Sequence, residues 1–224
     1  MSSKKQLLQK SGVYLVIDNG LPVNKNLFRI LSVSLDAGVD MVQLRDKTSG
    51  DRDFLRVGRE IKEMVREKKD TLFIINDRID MALNLDADGV HIGNSDAPME
   101  TARKVMGVNK IIGVSAGSLE EAMAAETNGA DYIGLGPVFD TPIKPATRAV
   151  GIERLRETAD KINTPLIAIG GINESNVEDV ARAGIKRIAV IRAIMESNNP
   201  YLAVRNLLEK ISNYHDSARA RKTE

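Results

Sequence analysis

The sequence predicts a single-domain α/β fold, a (β/α)8 TIM barrel, on three observations. Short apolar, β-rich runs alternate with helical patterns from end to end, the alternation counts to eight of each, and 224 residues lie near the roughly 250 typical of that fold. A doubly wound open sheet is the other architecture that such alternation allows.

In chain order the strand candidates are 13–17, 41–44, 72–75, 89–92, 111–114, 132–135, 166–169 and 187–190. Each is short and rich in Val, Ile or Leu, as strands covered on both faces should be. The helical stretches between and after them are 25–37, 51–68, 78–85, 99–106, 119–128, 152–161, 176–183 and 202–214. Leu55, Ile61, Met64 and Val65 show apolar spacing at helical period, as do Leu202, Leu207, Leu208 and Ile211. Phrases such as Ala37-Gly38-Val39-Asp40, Asn128-Gly129-Ala130-Asp131 and Ala183-Gly184-Ile185-Lys186 provide a glycine to end a helix and turn the chain into the next strand. Residues 1–12 read as a helical N-terminal extension, 13–214 as the barrel and 215–224 as a polar tail that frays after the last helix.

Composition removes several function classes. Lys and Arg (32) nearly balance Asp and Glu (31), and aromatic residues make up only 4%, so a nucleic-acid groove of basic patches and stacking rings is not expected. The absence of cysteine excludes disulfides, thiolate metal sites and cysteine nucleophiles, and is compatible with a reducing compartment. The first residues lack an apolar core of signal-peptide length, and no later run would span a bilayer, so a cytoplasmic protein without a membrane partner is expected. A homo-oligomer is compatible with all of this.

In such a barrel the site is built from the loops after the strands. Gln43, Arg45 and Lys47 alternate past the end of the second strand and can all face the mouth, where an arginine fork and a lysine point charge suit a diphosphate. Asp77 and Asp96 follow neighbouring strands. Each can cap the next helix, but together they can offer Mg2+ the hard oxygen ligands it accepts when phosphate completes its shell. His91 lies inside a strand and reads as a packed, hydrogen-bonded core residue. Residues 131–151 combine a strand with a long loop carrying Thr141, Lys144 and Arg148. Gly170 and Gly171 then end the seventh strand, where barrels frequently bind phosphate.

The series Gln43-Leu44-Arg45-Asp46-Lys47, Ile75-Asn76-Asp77-Arg78, Asp88-Gly89-Val90-His91-Ile92-Gly93 with Asp96, Gly113-Val114-Ser115, the run 129–139 and Ala168-Ile169-Gly170-Gly171-Ile172 resembles the thiamine-phosphate synthase family over about residues 13–195. The resemblance implies a (β/α)8 barrel and an Mg2+-dependent transferase that condenses hydroxymethylpyrimidine diphosphate with thiazole phosphate, releasing pyrophosphate. By position, it implies that Gln43, Leu44, Arg45, Asp46, Lys47, Asn76, Ser115 and Lys144 hold the pyrimidine diphosphate, and that Asp77 and Asp96 bind Mg2+. Thr141, Pro142, Ile143, Gly171, Ile191 and Arg192 fall where the thiazole phosphate is gripped, and Arg45, Lys47 and Lys144 where charge builds on the leaving pyrophosphate. Three positions depart from the family's usual residues: Ile143 stands for Thr, Gly117 for His and Arg192 for Ser. The rivals are a thiazole tautomerase-like isomerase on the same barrel and a barrel that binds a phosphorylated ligand without turnover.

Overall fold

A computed structural model describes residues 4–10, 12–22, 26–93, 96–143 and 148–220, with side chains described to 212. The strands are β1 (Gly12–Asp18), β2 (Met41–Arg45), β3 (Leu72–Asn76), β4 (Gly89–Ile92), β5 (Ile111–Ala116), β6 (Tyr132–Leu135), β7 (Leu166–Ile169) and β8 (Arg187–Val190). All neighbours pair in parallel, and β8 returns to β1 with Tyr14 opposite Ala189, so the sheet closes on itself and leaves no edge. The helices among the described residues are α1 (Lys4–Leu7), α2 (Leu27–Ala37), α3 (Asp51–Arg66), α4 (Ile79–Asn84), α5 (Met99–Met106), α6 (Leu119–Thr127), α7 (Ile152–Lys161), α8 (Val177–Arg182), α9 (Arg192–Met195) and α10 (Pro200–Ala220).

The final helix corrects the expected boundary. Its backbone stays helical to Ala220, past the point where a frayed tail was expected, because alanine and arginine in residues 215–220 favour helix although they carry no apolar stripe. The one-turn helix α9 was not expected at all, since four residues cannot display a period.

Strand alternation divides the apolar residues into two cores. Val13, Leu15 and Ile17 of β1, with Val42 and Leu44 of β2, pack outward against the helices. Tyr14, Val16, Met41, Ile74, Tyr132 and Ile167 point inward and fill the barrel. Room for the Tyr132 ring comes from Gly113, where a Cβ would lie 2.0 Å from the ring.

The floor of the barrel is closed by the N-terminal segment. Leu7 and Leu8 join the inner core, while Lys4 pairs with Asp88 and Lys5 lies 2.7 Å from Asp131. Arg187, buried at the start of β8, holds Asp40 through both terminal nitrogens (2.5 and 2.9 Å) and donates to the carbonyls of Leu7 (2.9 Å) and Lys10 (3.3 Å). The charged network at the floor leaves the opposite face, at the carboxyl ends of the strands, to carry the site.

Candidate active site

On the β1–β4 side, the inward series of β2 ends in a cation. Arg45 lies 2.5 Å from Asp18, whose side chain is only 6% exposed, and the other oxygen of Asp18 accepts the Gly20 N–H at 3.1 Å. Asp18 was not foreseen, although one more inward step along β1 from Tyr14 and Val16 leads to it. Lys47 pairs with Asp77. Arg45 and Lys47 thus each have an acid beside them, whereas Gln43 is buried and bonded to Tyr14 within the barrel.

Leu44 and Asp46 differ from the expectation. Alternation sends the fully buried Leu44 side chain outward into the helix-facing core, so only its backbone can serve the mouth. Asp46 instead builds the β2 loop: it accepts the N–H groups of Thr48 (3.0 Å) and Ser49 (2.9 Å) and the Asn19 amide (2.8 Å). Burial opposes its ionisation, but these donors outweigh it and hold the carboxyl down at about 2. Because the folded value is depressed, the stabilisation is full above the ordinary aspartate range and lost as pH falls through about 2. Asp46→Ala is expected to cost about 1–3 kcal/mol at pH 7 by chemical denaturation, a gap that narrows below about pH 4.

Asp77 and Asp96 converge. Asp77 sits just past β3 with a left-handed φ of 59°, its N–H bonded to the His91 carbonyl at 2.8 Å. Its carboxyl is raised above the usual range, first by burial and then by Asp96 beside it, with Lys47 pulling the other way. Asp96 accepts the Gly93 N–H at 2.7 Å. The N-cap positions of α4 and α5 are Arg78 and Pro98, neither with a side-chain cap bond, so neither Asp77 nor Asp96 is the cap residue of the helix that follows. Among the described residues no cluster of three or more metal-ligating side chains exists. Two adjacent carboxylates are a donor set that a hard divalent cation accepts when phosphate oxygens and water complete its shell. Arg78, by contrast, faces outward, paired with Asp51 and Asp80 and set over the Phe54 ring.

Inside the barrel just below, Gln43 donates to Tyr14, and a chain of polar side chains runs through Tyr132 and His91 to Ser115. His91 is thus the hydrogen-bonded interior histidine expected. Asn76 is half-buried at the end of β3, in register with His91.

On the β6–β8 side a cavity of about 320 Å3 is lined by Thr141, Pro142, Ile143, Gly171, Ile191 and Arg192, the six residues singled out there. Gly170 and Gly171 carry φ of 99° and 68°, a conformation that suits glycine. A Cβ on Gly170 would lie 2.4 Å from Pro137, and one on Gly171 2.7 Å from the Asp140 carbonyl. Arg192 is held 2.7 Å from Glu196 across one turn. Lys144 lies outside the described residues. Gly117 donates its N–H to Glu121 at 2.6 Å.

The family described as thiamine monophosphate synthase matches residues 13–194. A thiamine-phosphate synthase of Methanosarcina barkeri is 43% identical over 199 residues, which cover 88% of this chain and 89% of that protein. One from Prochlorococcus marinus is 44% identical over 185 residues, 83% of this chain but 53% of that protein, so the chain spans about half the length of this relative. Among solved structures, thiamine phosphate pyrophosphorylase from Pyrococcus furiosus is similar with a TM-score of 0.84 and 36% identity, covering 93% of this chain and 98% of that one.

Proposed function

This chain belongs to the thiamine monophosphate synthase family, and on that premise we propose that it condenses hydroxymethylpyrimidine diphosphate with thiazole phosphate to form thiamine phosphate and pyrophosphate. The observation that carries the reading is the two-part mouth: cations and paired carboxylates at the ends of β1–β4, and a glycine-walled cavity at the ends of β6–β8. One half suits a diphosphate with its metal, the other a phosphate monoester.

In this reading the bond between the pyrimidine methylene carbon and the diphosphate oxygen breaks first, and its electron pair leaves with pyrophosphate. The thiazole nitrogen then gives its lone pair to the carbon. No general base is needed, because the nucleophile is a neutral ring nitrogen. Charge grows on the leaving group, so preorganised cations there lower the barrier most. Arg45 and Lys47 meet that charge, with Lys144 as their proposed third partner. Asp18 holds the Arg45 fork in place before substrate arrives. Asp77 and Asp96 would hold Mg2+, which when bound neutralises phosphate charge as a Lewis acid. Gly171, Ile191 and Arg192 would grip the thiazole phosphate, with Thr141, Pro142 and Ile143 closing over it and bringing the two substrates together. Both substrates are small water-soluble phosphates, in keeping with a cytoplasmic location. No helix among the described residues is long and apolar enough to cross a membrane.

The test is to mix the purified chain with Mg2+ and both substrates and to assay pyrophosphate and thiamine phosphate in equal amounts. Binding of both substrates without product, or isomerisation of a thiazole carboxylate alone, would refute the proposal.

A further inference from the structure

The polar chain inside the barrel has a direction. Gln43 meets Tyr14 through its amide nitrogen, which has only protons to give, so the Tyr14 oxygen accepts. Tyr14 has one proton, and the oxygen of Tyr132 lies 3.1 Å away to receive it. The Tyr132 proton then goes to Nδ1 of His91 at 3.0 Å, which requires that nitrogen to be bare. A neutral imidazole with a bare Nδ1 carries its proton on Nε2, 2.9 Å from the Ser115 hydroxyl oxygen. Ser115 thereby accepts a hydrogen bond from below and keeps its own proton to donate at the strand end. Running the chain from His91 back to Tyr132 would leave one of the two phenol hydroxyls, in rings 1% and 0% exposed, without an acceptor, which costs about 1–3 kcal/mol. Burial pushes both phenols well above their ordinary range, so each keeps the proton that the relay needs. Packing fixes the rings as well as the bonds: Tyr132 lies near-parallel to His91 (5.5 Å, 24°) and edge-on to Tyr14 (6.1 Å, 81°).

We infer that Gln43, Tyr14, Tyr132, His91 and Ser115 form a one-way donor chain that presets the pyrimidine diphosphate subsite, with Ser115 oriented as a donor towards the anion and the Gln43 amide locked at the other end. Tyr14, Tyr132 and His91 are then positioning residues for the reaction proposed above, and this inference rests on that reading for its substrate. An anion bound at Ser115 selects the same direction, because a hydroxyl that spent its proton on His91 would present only lone pairs to a phosphate oxygen.

The chain holds only two histidines, so His215→Gln leaves His91 as the single imidazole signal in a 15N-labelled sample. At pH 7.5 without substrate, His91 is expected as the neutral Nε2–H tautomer, with a one-bond N–H coupling at Nε2. A proton on Nδ1, alone or in an imidazolium, would overturn the inference, and this measurement needs no disruptive variant. Tyr132→Phe keeps the ring and breaks the relay. It is expected to raise KM for the pyrimidine diphosphate about tenfold while leaving KM for the thiazole phosphate unchanged, the loss of one well-oriented hydrogen bond. An unchanged pyrimidine KM, or an equal rise in both, would contradict the positioning role. Failure of the unaltered protein to make thiamine phosphate would count against the proposed function and not against the tautomer.

Discussion

Asp77→Asn is expected to lower kcat/KM about a hundredfold, the scale of removing one preorganised charge partner from a developing anion, while the fold is retained. Asparagine tolerates the left-handed φ of 59° at this position and keeps the shape of the side chain, so the substitution removes charge and little else. The stability effect has a definite sign. The carboxyl is raised in the folded state by burial and by Asp96, so its stabilisation is full below the ordinary aspartate range and is lost as pH rises through the folded value. The Asn variant should therefore melt no lower than the parent at pH 7, and the two should converge in acid. If Asp77 holds Mg2+ as proposed, millimolar Mg2+ is expected to reverse the order, because a cation that needs ionised Asp77 stabilises the parent alone. Thermal melts with and without Mg2+, beside steady-state rates, check both parts. A variant that keeps parental activity would remove Asp77 from the site.

The largest loss of stability is expected at the other end of the barrel. Asp40→Ala strands the Arg187 guanidinium, whose side chain is 2% exposed, and should cost about 3–5 kcal/mol of a total that for such domains is about 5–15. The double variant Asp40→Ala with Arg187→Leu should recover much of that, since an apolar pair no longer buries a charge. Urea unfolding of the three proteins decides it. A single variant that shifts the midpoint no more than an ordinary surface change would show that water reaches the guanidinium.

These two sites were not equally legible beforehand. Strand positions could be read because Val, Ile and Leu runs between glycine turns have few other interpretations, and the barrel followed from their number. Arg45 and Lys47 followed from alternation, and the same rule applied one residue further would have turned Leu44 away from the mouth. Asp46 could not be separated from its neighbours, because its turn bonds depend on a loop that also recruits Asn19. Tyr14 and Tyr132 stand 118 residues apart, and only closure of the sheet brings their hydroxyls together, so no local pattern announces the polar chain. The same holds for Arg187 and Asp40, 147 residues apart. Asp77 and Asp96 carried two readings as isolated residues, and the mutual proximity that supports the proposed metal site exists only once the barrel has folded.

The seam between the β6 and β7 loops bears on how the site can change over time. Val138 and Phe139 give their N–H groups to the carbonyls of Ile169 and Gly170, and neither Gly170 nor Gly171 has room for a Cβ against the opposite loop. The wall of the cavity is therefore main chain against main chain, and almost any side chain added there would part the two loops. Ile143 and Arg192 line the same cavity without belonging to that seam. Mutation can thus rewrite what the cavity prefers at two positions while its frame stays constant.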